Sequence, residues 1–205
     1  MSATKERRVS RWAVSPREAG FITGLSEKTI NQAIDRKEVA TVPAEREGEG
    51  ERLLAFPELI YLSLRDSVGH LLSAKGKRML RQQLDTLRAS PYPGGVTMGG
   101  LELNIGRDIE AVLERLGQVE RARAFVVCDP EVRAGEPVVR DTRIPVFMLV
   151  ELVEQGATRE ELLEDYPSLT PESLEAALLH ARLYPRRGRP RKAPWKDGVV
   201  LRRPS

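Results

Sequence analysis

Apolar residues recur along the chain at helical spacing, in blocks separated by polar or glycine- and proline-rich breaks, and these blocks predict a mainly α fold. In SPREAG, Ser15 stands as a cap, Pro16 at the first helical position and Glu18 three residues past the cap, the layout of a capping box. The short helix that follows carries Ala19 and Ile22 on one face and breaks at Gly24. Ser26 then leads into a second helix with Ile30, Ala33 and Ile34 inward. Val39 to Leu54 has two apolar ends around the polar tip EREGEGE and is expected to form a hairpin, read as a wing. Phe56 and Pro57 open a helix expected to reach about Leu72. Ser73 caps another running to about Ala89, with Met79, Leu80, Leu84 and Leu87 inward.

The segment SPYPGGVTMGG, positions 90 to 100, holds two prolines and four glycines and is expected to be a hinge. It lacks the Gly-Lys-Ser/Thr ending of a phosphate loop. Beyond it, LELNI predicts a strand, Asp108 to about Ala124 a helix, and FVVC a second strand. From Ile144 the pattern becomes three helices in a homeodomain-like layout: PVFMLVELVEQ, then REELLEDY capped by Thr158 with Glu161, then PESLEAALLHARLY opened by Thr170 and Pro171. Gly156 occupies a C-cap position between the first two. The expected organisation is a basic arm at 1–14, a helix-turn-helix unit at 15–62, a helical connector at 63–90, a Gly/Pro hinge at 91–100, a strand-helix-strand segment at 101–128, a three-helix domain at 129–184 and a basic, disordered tail at 185–205.

Composition narrows the function classes. One cysteine, Cys128, excludes an intramolecular disulfide framework, and with only His70 and His180 beside it a structural zinc site is not expected. No apolar run approaches a membrane span, and MSATKERRVSRW has no apolar signal core, so a cytoplasmic location is expected. No nucleophile with a base, no paired acids on one face and no metal-ligand spacing stands out, so neither enzyme activity nor a cofactor is expected. The net charge of +3 conceals a split. Positions 182 to 205 carry nine Lys or Arg against one acid, a local +8, which leaves the other 181 residues at −5.

Two sets of residues carry candidate chemistry. The second helix, EKTINQAIDRKE, leaves Lys28, Thr29, Asn31, Gln32 and Arg36 largely for solvent, side-chain types suited to base edges and phosphates in a major groove. Arg7, Arg8 and Arg11 could add phosphate contacts, whereas Glu27 and Asp35 would repel them. In the tail, Arg186, Arg187, Arg189, Arg191, Lys192 and Trp195 combine guanidinium groups with an aromatic anchor, which favours a protein partner. Gly188-Arg189-Pro190 with its basic flanks also fits an AT-hook in a DNA minor groove. The acidic faces of the last two helices, with Glu160, Glu161, Glu164, Asp165, Glu172 and Glu175, argue against a second DNA reader there and for self-association or partner docking. Arg143 is expected to pair with Asp129 or Asp141.

Positions 15 to about 62, from SPREAGFITGLSEKTINQAIDRKEV to FPELIYL, resemble the winged helix-turn-helix of MerR and excisionase-type proteins, in which the second helix reads DNA. Positions 126 to 184 resemble the domain-of-unknown-function 433 family, on GEPVV, TRIPV and the DYPSLT turn in that order, with Asp141 where glycine is expected before TRIPV. The second resemblance implies a VapB-type antitoxin of a PIN-like ribonuclease toxin encoded nearby, whose C-terminal segment places arginines across the toxin's acidic site. Together they imply a homodimer that also represses its own promoter by binding operator DNA. A transcription regulator of MerR or excisionase type without a toxin partner is the alternative.

Overall fold

A computed structural model describes residues 13–42, 52–69, 71–86, 95–98 and 100–186 of the chain, and the fold among them is mainly α. Helices α1 (Pro16–Thr23) and α2 (Glu27–Asp35) cross at a short turn. The Ser15 hydroxyl accepts from the Glu18 amide at 3.4 Å, and the Glu18 carboxylate accepts from the Ser15 amide at 2.8 Å, so the capping box forms as the sequence predicts. Gly24 ends α1 at φ +78°, a conformation that glycine adopts without strain. Gly20 is required for a different reason. A Cβ there would lie 2.8 Å from the Leu25 carbonyl oxygen, so only glycine lets the turn close onto α1.

Across the expected wing Val42 bridges to Leu53, and Leu54 bridges to Val14 ahead of α1; the wing's tip, including Glu45, Arg46, Glu47, Glu49 and Glu51, lies outside the described residues. Helix α3 (Phe56–Val68) follows, and then α4 (Ala74–Thr86), where the Ser73 hydroxyl accepts from the Gly76 amide at 3.2 Å. Helix α3 stops short of the expected Leu72, and residues 87–89, where α4 is expected to end, lie outside the described residues.

Residues 95–98 of the expected hinge form strand β1 (Gly95–Met98), paired antiparallel with β2 (Leu101–Asn104) from Gly95 opposite Asn104 to Met98 opposite Leu101; apart from Gly100 the rest of it lies outside the described residues. Val96 and Met98 alternate inward and are buried, a period-2 signal that the surrounding glycines mask.

Helix α5 (Gly106–Phe125) is the spine. Its 20 residues span about 30 Å, and Ile109, Val112, Leu116, Val119 and Ala122 form a continuous buried stripe against α1, α3 and the last helix. Strands β3 (Val126–Val127) and β4 (Val138–Val139) make a two-residue antiparallel ladder with a 3₁₀ turn at Arg133–Gly135 between them. Helices α6 (Val146–Glu154), α7 (Arg159–Asp165) and α8 (Pro171–Leu183) complete the chain. The Thr158/Glu161 capping box forms, and a second joins Thr170 to Ser173. Gly156 takes φ +104° and Asp141 φ +60°, so the turn before TRIPV has the left-handed geometry that makes glycine the natural occupant.

The apolar side chains form two cores. The first runs from Val14 through Ile22, Ile30, Leu59 and Val96 to Leu116 and Leu183; the second gathers Val126, Val139, Val146, Leu149, Leu162, Leu174 and Ala177. Helix α8 belongs to both. Leu183 and Leu179 face the first core, while Leu174, Ala177 and Ala181 face the second.

Candidate nucleic-acid interface and the module behind it

Of the five side chains expected on the DNA-facing surface of α2, three are presented to solvent. Lys28, Gln32 and Arg36 are exposed at four-residue intervals and so line one stripe of the helix, about 6 Å apart. Thr29 and Asn31 are half-buried and partly committed locally. The Thr29 hydroxyl hydrogen-bonds the Ser26 cap at 2.8 Å, and the Asn31 amide donates to the Glu27 carbonyl at 3.1 Å. The inward face holds α2 in place through Ile30 and Ala33, both buried.

The two acids of α2 are not free to repel a phosphate backbone. Arg17 of α1 donates to the Glu27 carboxylate at 2.8 Å, and Arg52 donates to Asp35 at 2.6 Å. Each pair is exposed and contributes little to stability, but each cancels a negative charge beside the stripe. Arg7, Arg8 and Arg11 lie outside the described residues.

Behind α1 lies a buried charge network that pattern reading missed. Glu18 is completely buried, and Arg123 near the end of α5 grips it with two hydrogen bonds, Nε to Oε1 at 2.7 Å and Nη2 to Oε2 at 2.5 Å. The Tyr184 hydroxyl, just past α8, donates to the same carboxylate. Burial works to raise the Glu18 carboxyl, but the Arg123 guanidinium, with the Tyr184 hydroxyl and the Ser15 amide, overrides it and holds the group below the usual carboxylate value. The same environment pushes the Tyr184 hydroxyl up, first through burial and then through the Glu18 charge. Arg17 also reaches the Leu183 carbonyl at 3.3 Å, and Arg115 of α5 the Ile22 carbonyl at 3.0 Å. The two-helix unit is thereby tied to α5 and α8 at several points.

His180, one turn before Tyr184, packs against its ring at a 4.9 Å centroid distance and a 45° tilt, and burial lowers its pKa against the opposing pull of Glu18. An open cleft of about 680 Å³ lies between α1, α5 and α8, lined by Arg17, Phe21, Glu27, Glu114, Arg115 and Arg182 among others. Arg182 sits over the Phe21 ring at 5.8 Å.

In the C-terminal module the expected pairing of Arg143 is not found. Arg143 is exposed and forms no ion pair among the described residues; the Asp129 carboxylate accepts from the Glu131 amide at 2.9 Å, and Asp141 is exposed in the turn. Of the six tail residues singled out, Arg186 is described; Arg187, Arg189, Arg191, Lys192 and Trp195 lie outside the described residues. Arg186 donates to Glu136 at 2.7 Å and to Glu151 at 3.1 Å, and its guanidinium lies 4.6 Å from the Phe147 ring centre. The outer surface of α7 and α8 carries exposed Glu160, Glu164, Asp165 and Glu172, as the sequence implies. Glu175 pairs with Arg159. No group of three or more His, Cys, Asp or Glu capable of holding a metal occurs among the described residues, and no described helix is long and apolar enough to cross a membrane.

Residues 126–181 match the family described as "Protein of unknown function (DUF433)", and this part of the chain is a DUF433 domain. The chain is similar to the uncharacterized protein y4eO of Sinorhizobium fredii, at 41% identity over 78 residues, which is 38% of this chain. The match spans 35% of that relative's length. Among solved structures, a DUF433 member protein from Anabaena variabilis is 31% identical, covering 56% of this chain and 91% of the other at a TM-score of 0.30. Rv2018 from Mycobacterium tuberculosis is 16% identical, covering 80% and 96% at a TM-score of 0.34.

Proposed function

On the premise that a DUF433 domain forms the C-terminal module, we propose that the protein is a DNA-binding antitoxin: a regulator whose α1–α2 unit is a winged helix-turn-helix that reads operator DNA and whose C-terminal region neutralises a PIN-like ribonuclease encoded nearby. The observation that carries the reading is the exposed Lys28, Gln32 and Arg36 stripe on α2, flanked by acids that Arg17 and Arg52 neutralise. A glutamine can bond an adenine edge in two places, and lysine or arginine can take guanine edges or phosphates. The second half of the reading rests on the DUF433 resemblance and on the basic tail, whose guanidinium groups suit a carboxylate cluster of the kind that holds catalytic metal. The protein acts as a homodimer on a two-fold operator in this scheme.

Two measurements test it. Lys28→Ala with Gln32→Ala should weaken binding to the gene's own promoter fragment by about 1–3 kcal/mol for each base edge no longer bonded, and an unchanged affinity sinks the DNA half. Co-expression with the neighbouring open reading frame should rescue growth and yield a co-purifying complex. A neighbour that is harmless alone, or that the full chain neither binds nor detoxifies, sinks the antitoxin half.

The cleft between α1, α5 and α8 favours a second reading, a transcription regulator of MerR or excisionase type that senses a small ligand and has no toxin partner. Its Arg115 and Arg182 give an anionic ligand two cations beside the Phe21 ring. Operator binding that persists while the neighbouring protein fails to bind would select this reading.

A further inference from the structure

A pocket of about 260 Å³ opens between α3, α4 and the turn that follows α2, lined by Glu38, Tyr61, Leu64, Arg65, Leu72 and Lys77 among others. It shares no lining residue with the cleft between α1, α5 and α8. Its base is apolar. Leu64 and Leu80 are buried members of the first core, and Tyr61 and Leu72 pack against that core while keeping part of their surface open. The remaining lining side chains are charged, with Arg65 and Lys77 set against the single acid Glu38.

Both cations keep unused binding capacity. Lys77 is exposed and forms no ion pair among the described residues. Arg65 approaches Glu38 only to 3.4 Å, well beyond the roughly 2.7–2.9 Å of a charge-assisted hydrogen bond. Its guanidinium is a planar fork of five N–H donors, a shape that matches a carboxylate side-on. Glu38 is shared, since Arg36 also approaches it, at 3.9 Å. Its backbone is held by the end of α2: Lys37 before it is left-handed at φ +57°, and the Glu38 amide donates to the Ala33 carbonyl at 2.8 Å. An anion arriving at Arg65 therefore leaves Glu38 with a second arginine at hand. At about 30 Å³ for each water-sized group, the pocket holds roughly nine non-hydrogen atoms.

We propose that this pocket binds a small carboxylic acid with an apolar body, about the size of benzoate. The Arg65 fork takes the carboxylate, Lys77 adds a second positive charge, and the hydrocarbon lies against Leu64, Leu72, Leu80 and Tyr61. Glu38 is the internal competitor that the ligand displaces from Arg65. The inference goes beyond the antitoxin reading and requires neither DNA nor a toxin.

Isothermal titration of the full chain with benzoate or hexanoate should give one saturable site with a Kd of about 1 mM or below. Benzyl alcohol, similar in shape to benzoate but uncharged, should bind at least about tenfold more weakly. Lys77→Glu, at an exposed position, should weaken benzoate about tenfold, and Arg65→Gln at least as much. Glu38→Gln should act in the opposite direction and tighten benzoate about threefold, because the carboxylate then has no rival for Arg65. That sign distinguishes a binding role from a structural one. Each variant is checked for a retained melting transition, and if Arg65→Gln loses it, the other two decide. No saturable binding of either acid, or equal binding of benzyl alcohol, overturns the proposal. So does an affinity that fails to fall in Lys77→Glu or to rise in Glu38→Gln. A benzoate site lost in Arg182→Ala and kept in Lys77→Glu also overturns it, since that site belongs to the cleft between α1, α5 and α8.

Discussion

Helices α1 and α2 are neighbours of eight and nine residues, each opened by a serine cap, yet one is built into the molecule and the other is presented by it. In α1 the acidic residue of the first turn is swallowed whole: Glu18 has no exposed surface and is held by Arg123 and Tyr184. In α2 the corresponding acid, Glu27, stays at the surface in a solvated pair with Arg17. Similar local chemistry therefore supports two roles. The buried pair orients α1 on α5 and α8, and the solvated pairs offset the acids beside the exposed Lys28 and Gln32. Charge-neutralising pairs in water are worth roughly 0–1 kcal/mol each, whereas loss of one partner from a buried pair costs several.

Breaking the buried side should have the largest effect. Arg123→Ala leaves the buried Glu18 carboxyl without its cation and should destabilise the fold by about 3–5 kcal/mol in denaturant titration. Glu18→Ala should cost less, since Arg123 is partly exposed and can turn toward water once released.

Acid should act on the same junction in two stages. His180 titrates below its ordinary value of 6.5 in the fold because it is buried, so the unfolded chain takes up a proton first and stability declines as pH falls below 6.5. Glu18 is held below its ordinary 4.5, so its contribution is complete above 4.5 and is lost as pH falls further through the folded value. Melting temperatures between pH 8 and 3 would report both stages. In Arg123→Ala the second stage should vanish, because the carboxyl then loses the group that keeps it ionised.

The exposed side should separate affinity from stability. Lys28→Ala and Gln32→Ala should leave the unfolding free energy within the spread of surface substitutions, about ±0.5 kcal/mol, while lowering DNA affinity. An equal loss of stability would place these residues in the same class as α1. The smallest test compares the caps. Ser15→Ala and Ser26→Ala should each cost about 1 kcal/mol, since each hydroxyl accepts from the backbone amide three residues on. A much larger cost at Ser15 would mean that the cap also orients Glu18 toward Arg123.

Local signals were legible wherever a short stretch suffices. The boxes at Ser15 and Thr158, the glycine ends at Gly24 and Gly156 and the inward positions of α2 follow from a few adjacent residues. Strand β1 was not legible, because four glycines in eleven residues hide the alternation of Val96 and Met98. Arg143 was expected in a pair, but one of its two expected partners, Asp129, is claimed by a backbone amide. In the candidate site, the residue types and their four-residue spacing on α2 could be read directly. That Thr29 and Asn31 turn partly to local bonds, and that Glu27 and Asp35 are neutralised from elsewhere, could not.

Sequence alone determined that the protein is mainly helical, where most of its helices begin, and that its positive charge gathers at one end, since caps, periodicity and net charge are sums over neighbours. Only the tertiary structure decided that Glu18 is a buried acceptor and not an ordinary cap acid, because its partners stand 105 and 166 positions away. It likewise decided that α8 serves two cores. Burial depends on what the rest of the chain brings alongside, and the pattern within one helix carries no record of that.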